Sequence, residues 1–410
     1  MALLAGSDRV IGVNLRLLIG GGAFLLLVYI LLGKFLPHVL KILQISSAQS
    51  FGGGERHVAD LANSLTVRGH EVYAVVRPKS PLLRKLHQLP QANVRTLPLR
   101  NALDVPSANE LARIARQIGA EIIHAHMARD YPLAAFAARG KPPAKLILTR
   151  HVLFPLKRFQ SRVFARASRL IAVSEAVARQ LKAQQLLQPE RISVVRNGVD
   201  VERLNDARHT SNHAALCRGW GFPENCLLVG TVGELNPLKG HDVFIQAAAN
   251  VVASYPQARF LIVGGDSTSG SKTLTALKDL IAAFSLSDRI RMLGEVEDVA
   301  PFLAAMDVFV SASQTESFGL AMVEALASSV PVVATNTEGA QEIIRDAETG
   351  FLVPIGQIQA LAESINRLLA DADLRERMGQ LAYQDACKRF RLEQMVEAIE
   401  KIYEESLAGR

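Results

Sequence analysis

The sequence predicts an α/β protein with two doubly wound parallel sheets that face each other across a cleft. Two units of strand, loop, helix and strand support this. The first has a short apolar strand at residues 41–45, a loop containing Gly52, Gly53 and Gly54, and a helix whose apolar residues recur at helical spacing. The second begins with the apolar strand at residues 227–233, after which strands and helices alternate again.

Composition agrees with a globular chain of about two to three domains. The chain has 410 residues, of which 49% are hydrophobic and 21% charged. Its cysteines, Cys217, Cys226 and Cys387, show no metal-ligand pairing, which favours a reduced, cytosol-facing compartment. The net charge of +7 is modest for this length, and no alternation of basic and aromatic residues indicates nucleic-acid binding.

The first 39 residues differ from the rest of the chain. Residues 17–33 carry no charge and stand between Arg16 and Lys34, at the lower edge of the length that a bilayer core requires. We interpret residues 1–39 as a hydrophobic segment and possible membrane anchor, which places the protein on the cytoplasmic face of the inner membrane. The alternative is an upstream start codon, in which case the protein is cytoplasmic. A signal peptide is disfavoured because no small-residue cleavage site follows.

The most informative pattern lies between residues 307 and 350. It predicts a strand at residues 308–311, a loop with Glu316, a helix from about 318 through 327 with Glu324, and a strand at residues 331–335. The helix opening leaves backbone N–H groups unpaired at the positive end of the helix dipole, which is a seat for phosphate. Carboxylates beside such a seat accept hydrogen bonds from hydroxyls, so the pattern predicts a sugar-nucleotide site.

This pattern resembles the C-terminal domain of the family 4 retaining glycosyltransferases, also called glycosyl transferases group 1, which have the GT-B fold. The likeness rests on the two glutamates eight positions apart, the strand PVVAT, Gly339 and Glu342, and the segment TGFLV at residues 349–353. It implies two Rossmann-like domains. The implied divisions are an acceptor domain at residues 40–205, a donor domain at residues 206–385, and a C-terminal helix within residues 386–410 that packs back on the first domain.

The resemblance also implies a nucleoside diphosphate sugar as donor and assigns roles to residues. Glu316 contacts hydroxyls of the transferred sugar, Glu324 contacts the ribose, and Lys239 contacts the diphosphate. His151, two residues after Thr149 at the end of a strand, contacts the donor sugar, so His151 and Glu316 are the candidate catalytic residues. The other implied donor-binding residues are Gly53, Gly54, Ser317, Phe318, Gly319 and Leu320.

One position departs from the family's pattern. Where the family has an arginine shortly before the lysine, this sequence has Glu234. The change removes a positive charge where negative charge develops, so either another base substitutes or Glu234 points away. It leaves open a non-catalytic, membrane-tethered protein that binds nucleotide sugars. A sugar-nucleotide epimerase on the same fold is a further alternative, although the acid and base residues that it would add to the first domain are not evident.

Histidines follow two predicted strands of the first half. His124 and His126 end the strand at residues 121–126, and His151 follows the strand at residues 145–150. We interpret the first two as structural or cleft-lining rather than as a metal pair, because we expect them to point to opposite faces of the sheet. No Asp-x-Asp element is present, so we expect neither a metal nor another cofactor; the helix dipole and a lysine would neutralise the diphosphate.

A basic stretch follows His151. Residues 154–170 predict a helix in which arginines recur every three or four positions, at Arg158, Arg162, Arg166 and Arg169. From Tyr131 to Ser174 the sequence has nine lysines or arginines and no acidic residue. This is either a solvated face or a surface for anionic lipid head groups or a phosphorylated acceptor. Together with the hydrophobic segment it favours membrane association and an acceptor among cell-envelope glycans, lipopolysaccharide or glycolipids.

Overall fold

A computed structural model describes residues 38–156, 161–266, 268 and 270–409, except the side chains of residues 161 and 162. Residues 40–410 form one compact unit. The predicted hydrophobic segment at residues 17–33 and the predicted position of Arg158 lie outside the described residues. Among the described helices, none is both long enough and apolar enough to cross a bilayer.

The first sheet has seven parallel strands in the order β3-β2-β1-β4-β5-β6-β7. These strands are β1 (Lys41–Ser46), β2 (Glu71–Val76), β3 (Val94–Thr96), β4 (Ile122–Ala125), β5 (Lys145–Arg150), β6 (Arg169–Ala172) and β7 (Ile192–Val194). The strand order reverses between β1 and β4. At such a reversal the crossover helices leave to opposite faces, and a crevice opens at the carboxyl ends of the strands.

The second sheet has six parallel strands in the order β10-β9-β8-β11-β12-β13. They are β8 (Leu227–Val232), β9 (Ala258–Val263), β10 (Ile290–Gly294), β11 (Val308–Ser311), β12 (Val332–Thr335) and β13 (Gly350–Val353). Here the order reverses between β8 and β11. We call each sheet with its flanking helices a lobe, the first lobe and the second lobe.

Sixteen α-helices lie in the described part of the chain. They are α1 (Gly53–Val67), α2 (Leu82–Lys85), α3 (Val105–Ile118), α4 (Tyr131–Ala137), α5 (Ser161–Phe164), α6 (Glu175–Gln184), α7 (Val201–Thr210), α8 (His213–Gly219), α9 (His241–Ser254), α10 (Lys272–Ala283), α11 (Ala300–Ala305), α12 (Leu320–Ala327), α13 (Glu338–Ile343), α14 (Ile358–Ala370), α15 (Ala372–Arg389) and α16 (Leu392–Leu407). Short 3₁₀ turns occur at Gln91–Asn93, Pro189–Arg191 and Pro237–Lys239.

Local sequence explains these elements. The central strands are short apolar runs that are largely buried on both faces, as parallel sheets between helix layers require; β12, for example, is buried along its whole length, whereas the edge strands β3, β7 and β10 are partly exposed. Helix α3 shows how the helices are bounded. Asp104 caps its start by accepting a hydrogen bond from the Ser107 N–H, and Gly119 ends it in the left-handed conformation at φ 66°.

The predicted fold class is confirmed, because the chain forms two doubly wound parallel sheets with alternating helices. The long basic helix predicted at residues 154–170 is wrong in extent. Only the four residues of α5 are helical in its described part, a turn follows, and Arg169 already begins β6. Leu170 and Ile171 are buried in the sheet, so strand pairing with β5 and β7 outweighed the helical spacing of the arginines.

Two helices pack against elements that are distant from them in sequence. One lies in the connection between the lobes, and the other lies at the C-terminus. Helix α7, which contains the predicted boundary at residue 205, packs against α11 and α12 of the second lobe. Helix α16 packs against α1 and β5 of the first lobe. Its Glu400 lies 2.7 Å from His70 Nε2 and 2.8 Å from Arg68 Nε, at the end of α1.

Asp130 holds the loop that follows β1. Its Oδ2 accepts a hydrogen bond of 2.7 Å from the Ser47 N–H, and the residue is fully buried. Burial raises the pKa of Asp130 to about 6, although the hydrogen bonds with Ser47 lower it and so offset part of this effect. The loop that leads to the glycines before α1 is therefore tied to the residue that directly precedes α4.

We expect Asp130→Asn to change how stability depends on pH. Between about pH 4 and pH 6 the folded chain retains a proton on Asp130 that the unfolded chain has released, so this group lowers the free energy of unfolding as pH rises, by up to about 3 kcal/mol. Urea denaturation of both proteins at pH 4, 5, 6 and 7 measures this. The variant should lose less stability between pH 4 and 6, and parallel curves would contradict the assignment.

Candidate active site

The carboxyl ends of both sheets border a cavity of about 590 Å³. This volume lies within the range of small-molecule sites. All ten residues that the sequence predicted as catalytic or donor-binding line it: Gly53, Gly54, His151, Lys239, Glu316, Ser317, Phe318, Gly319, Leu320 and Glu324. The fold therefore gathers them into one place, and their roles toward a donor stay a prediction.

Two helices begin at opposite walls of this cavity. Helix α1 starts at Gly53 in the first lobe, and α12 starts at Leu320 in the second. The two starts nearly touch, because a Cβ added at Gly53 would lie 3.7 Å from Leu320 Cβ. Each helix start presents unpaired N–H groups and the positive end of a dipole, so both walls favour an anion.

Lys239 and Glu316 form an ion pair in front of α12. Lys239 Nζ lies 3.0 Å and 2.9 Å from the two carboxylate oxygens of Glu316. The lysine side chain is 31% exposed, so its ammonium group remains accessible from the cavity. The pair places a hydrogen-bond acceptor and a cation side by side at the positive end of a helix.

The loop before α12 owes its shape to two glycines. Gly319 has φ 106°, which favours glycine, and a Cβ there would meet the Met322 side chain at 2.1 Å. Gly339 supports the loop from below, since its N–H donates to the Glu316 carbonyl at 3.1 Å and a Cβ would lie 2.6 Å from the Phe318 carbonyl oxygen. Gly339 and Glu342 form a Gly-x-x-Glu motif, and its glycine is thus required for backbone contact with this loop.

The side chains of Ser317 and Phe318 contact other parts of the protein and do not face the cavity. The Ser317 hydroxyl accepts a hydrogen bond of 3.0 Å from the Leu153 N–H, and its carbonyl accepts one of 2.6 Å from the Ser174 hydroxyl, so Ser317 joins the two lobes. The Phe318 ring is buried against Phe390. Only the backbone of Phe318 is therefore available to an anion.

Glu342, the last residue of the Gly-x-x-Glu motif, also joins the lobes. Its carboxylate accepts hydrogen bonds from the N–H groups of Glu175 and Ala176, at 3.0 Å and 2.9 Å. These are the first residues of α6 in the first lobe, where orphan N–H groups and the helix dipole favour a carboxylate. The motif therefore has a structural function in this chain.

Glu324 is buried and faces the first lobe. Its Oε1 lies 3.4 Å from an Arg56 guanidinium nitrogen, across the cleft from α12. Burial raises the pKa of Glu324, and the Arg56 charge partly opposes this. Arg56 was not predicted from the sequence, although it comes two residues after the glycines of the loop before α1; its place in the first turn of a glycine-led helix was the available signal.

Glu234, the residue at the family's arginine position, is among the residues that line the cavity. Its Oε2 accepts a hydrogen bond of 3.3 Å from the Asn236 side chain. Among the described residues, the lysines and arginines that line the cavity are Arg56 and Lys239. Arg56 is thus a second cation of the site, supplied by the opposite lobe.

His151 lies at the end of β5 with its ring against Gly54, whose added Cβ would be 3.5 Å from His151 Cγ. The rings of His57 and His126 lie beside it, with centroids 4.9 Å and 5.8 Å away. The expectation that His124 and His126 point to opposite faces is wrong. Positions two apart on a strand share a face, and the two ring centroids are 4.1 Å apart.

Comparisons with known families agree with this fold and site. The family model for Glycosyltransferase Family 4 matches residues 51–203, and that for Glycosyl transferases group 1 matches residues 216–385. The fold and the site define a glycosyltransferase that takes its sugar from a nucleotide sugar. The chain belongs to the family 4 glycosyltransferases.

Relatives span the chain to different extents. An N-acetyl-alpha-D-glucosaminyl L-malate synthase of Bacillus anthracis is 27% identical over 88% of this chain and 95% of its own length. A D-inositol 3-phosphate glycosyltransferase of Corynebacterium urealyticum is 36% identical over 48% of this chain and 47% of its own length. This chain thus spans about half the length of the latter relative.

Solved structures show the same architecture. A glycosyltransferase of Rickettsia africae is 23% identical, with a TM-score of 0.80 over 91% of this chain and 100% of its own; at this identity the likeness shows the fold alone. The HepE protein of Anabaena, solved in complex with UDP and glucose, is 25% identical, with a TM-score of 0.78 over 88% of this chain and 98% of its own.

We expect Arg56→Ala to lower the free energy of unfolding by about 2–3 kcal/mol, because it leaves Glu324 buried without its cation. The expected loss is smaller than the about 3–5 kcal/mol that is usual for a broken buried pair, since Glu324 relieves part of it by taking up a proton. Arg179→Ala is the matched control. It breaks an exposed contact of 2.9 Å between Arg179 and Glu338, which also links the lobes and contributes about 0–1 kcal/mol. Equal losses in urea denaturation would contradict the buried pair's importance.

Proposed function

We propose that the chain transfers a sugar, with retention of anomeric configuration, from a nucleoside diphosphate sugar to an acceptor hydroxyl. The observation that carries the proposal is the Lys239 and Glu316 pair at the start of α12. It combines a cation and a dipole end for a diphosphate with a carboxylate for sugar hydroxyls. A site for an anion alone would need only the cation and the dipole end, and a site for a neutral sugar would need only the carboxylate.

The proposed donor lies with its diphosphate between the helix starts. Lys239 and the N-terminus of α12 stabilise the negative charge that develops on the leaving diphosphate as the glycosidic bond breaks. Glu316 orients the transferred sugar by accepting from its hydroxyls. In this arrangement Glu316 exchanges part of its contact with Lys239 for contact with the sugar, and Lys239 turns toward phosphate.

Retention follows if the acceptor attacks on the face from which the nucleotide leaves. The leaving phosphate oxygen is then beside the acceptor hydroxyl and takes its proton, so no side-chain base is required. His151 is half-buried beside the α1 start, with both ring nitrogens buried, and their desolvation, together with the neighbouring imidazoles, lowers its pKa well below the ordinary value, so it acts as a neutral hydrogen-bonding group. The two walls exclude water, which competes with the acceptor.

Uridine is the base we favour for the donor. The HepE protein of Anabaena, similar in fold over most of both chains, has been solved with UDP and with UDP-glucose. The glutamate at position 234 changes the charge near the diphosphate relative to the family's arginine. We propose that Arg56 supplies the missing positive charge from the first lobe, since it is the other cation that lines the cavity.

For the acceptor we propose a cell-envelope glycan or glycolipid, reached at the cytoplasmic face of the inner membrane. Support comes from the uncharged segment at residues 17–33 and from the basic composition of residues 131–174. The second candidate is a small anionic acceptor. It is favoured by the relatives named for L-malate and for inositol 3-phosphate, both of which carry negative charge.

The donor is tested by incubating the full chain with UDP-, GDP- and ADP-linked sugars and measuring thermal stabilisation and release of the nucleotide. We expect a UDP-sugar to stabilise the chain and to be hydrolysed slowly. Lys239→Ala should reduce release by about 10²–10³-fold, the usual effect of removing a group that neutralises developing charge. Glu316→Gln should weaken donor turnover by about ten- to a hundred-fold, because a charged acceptor is lost.

Lys278→Ala is the control for these variants, since Lys278 is an exposed lysine of α10 outside the cavity. Retention is measured in the same experiment from the anomeric signals of the product sugar in NMR spectra. Donor binding without any turnover would favour the non-catalytic protein, and an inverted product would exclude the retaining mechanism. Conversion of the free UDP-sugar into its epimer would favour the epimerase.

The acceptor is tested by offering two classes in parallel with the donor so found. One is a membrane-lipid extract and the other a panel of small hydroxy acids and polyol phosphates. We expect sugar transfer to the extract, and we expect the full chain, but not a chain beginning at Lys41, to sediment with membranes. Transfer to the small acids alone, with the protein in the soluble fraction, would favour the second candidate.

A further inference from the structure

Three histidines converge where the first sheet meets the cavity. His57 comes from the second turn of α1, His126 directly follows β4, and His151 directly follows β5. One ring nitrogen from each lies within 4.8 Å of those of the other two. His57 and His126 are buried at 2% and 3% exposure, and His126 and His151 line the cavity.

Hydrogen bonds on the outer side of the cluster fix two of the rings. His57 Nδ1 lies 2.9 Å from the Asn197 side-chain oxygen, and His126 Nε2 lies 2.7 Å from the Gln44 side-chain oxygen. Amide oxygens only accept, so each of these ring nitrogens carries the proton and donates. The other nitrogen of each ring, His57 Nε2 and His126 Nδ1, therefore has a free lone pair.

These inner nitrogens lack partners. Among the described residues, His57 Nε2, His126 Nδ1 and both ring nitrogens of His151 are buried without a hydrogen bond. A buried polar atom without a partner costs free energy, and such atoms are rare. Here they belong to three neighbouring side chains, which indicates a shared ligand rather than three separate defects.

The hydrogen bonds also select the ring tautomers that a metal requires, with an unprotonated nitrogen of His57 and of His126 on the inner side of the cluster. Neutral imidazole is the form that ligates metal ions. A histidine bonded outward to a side-chain oxygen and inward to a metal is also the usual outer-shell arrangement.

We propose that His57, His126 and His151 bind a divalent transition-metal ion, with zinc as the chemistry that fits best. Three nitrogen ligands with a further position open toward a cavity are typical of functional zinc sites, whereas magnesium and calcium prefer oxygen ligands. The open position faces the cavity, because His126 and His151 line it. There the ion can take a water or an oxygen of a bound substrate.

The rings must close slightly around an ion. Zinc lies about 2.0–2.1 Å from imidazole nitrogen, so tetrahedral ligands are separated by about 3.4 Å. In this structure the three ring nitrogens lie within 4.8 Å of one another. To bind zinc, the distances between them must decrease by up to about 1.4 Å. His151 is the ring with freedom to make this move, because neither of its nitrogens is held by a hydrogen bond among the described residues.

Two other groups of candidate ligands are distinguishable from this one. His124 belongs to the same cluster, but both of its ring nitrogens already have hydrogen-bond partners. Its Nδ1 lies 2.7 Å from the Tyr403 hydroxyl, and its Nε2 lies 2.7 Å from the Thr149 hydroxyl. His213, Cys217 and Cys226 lie together in the second lobe. There the two His213 nitrogens face the carbonyl oxygens of Ala305 and Cys226, at 3.0 Å and 3.1 Å, so both are already engaged by partners within the fold.

The site is tested with cobalt and zinc on the full chain after dialysis against a chelator. Cobalt in a nitrogen-ligated tetrahedral site gives visible absorption bands that are absent for the ion in water. We expect one equivalent of cobalt to produce these bands, zinc to displace it, and zinc to raise the unfolding temperature. Absence of the bands and of zinc stabilisation would overturn the proposal, whatever the outcome of the donor experiment.

Variants locate the metal. His57→Gln and His126→Gln should each weaken cobalt binding at least about a hundred-fold, and Asn197→Ala, which touches no metal in the proposal, should weaken it by about 10–100-fold through loss of ring orientation. His241→Gln is the control, a buried histidine that lines the same cavity from the second lobe, and Cys217→Ser tests the other group. Binding that survives His57→Gln and His126→Gln, or that is lost in either control, would place the metal elsewhere and overturn the assignment. Circular dichroism confirms that each variant is folded.

Discussion

The close approach of two helix starts is the constraint on which the site depends. Helices α1 and α12 both begin at the carboxyl edge of a parallel sheet, and Gly53 brings the first within contact distance of Leu320 in the second. Both positive dipole ends then face one volume, a costly arrangement unless negative charge occupies it. Carboxylates of Glu55, Glu316 and Glu324 surround this volume, and an anionic ligand would use the same field.

The lobes are held together by polar groups to which the sequence motifs alone would assign a function in ligand binding. Ser317 bonds to Leu153 and Ser174, and Glu342 caps α6. These contacts fix the loop before α12 against the first lobe, so that the position of Glu316 depends on residues far from it in sequence. A substitution in either residue would therefore affect the site through its geometry.

Much of the fold was predictable because its causes are local. Apolar runs predicted β1, β8, β11 and β12, and a glycine-led helix start predicted the anion seat before α12. The basic helix after His151 was mispredicted because sheet pairing of Arg169–Ala172 decided the backbone there. The partners of the predicted residues, such as Arg56 for Glu324, were not predictable, because they come from the opposite lobe.

The resemblance to the family supplied the predicted set of residues that meet in the cleft. The sequence by itself determined the alternation of strands and helices and the glycines that shape the loops. These depend on periodicity and on backbone conformation, which neighbouring residues set. Tertiary structure alone decided that Lys239 pairs with Glu316, that Ser317 joins lobes, and that three histidines turn unpartnered nitrogens toward one another. Such contacts depend on how separate strands and helices pack, and no spacing along the chain encodes that distance.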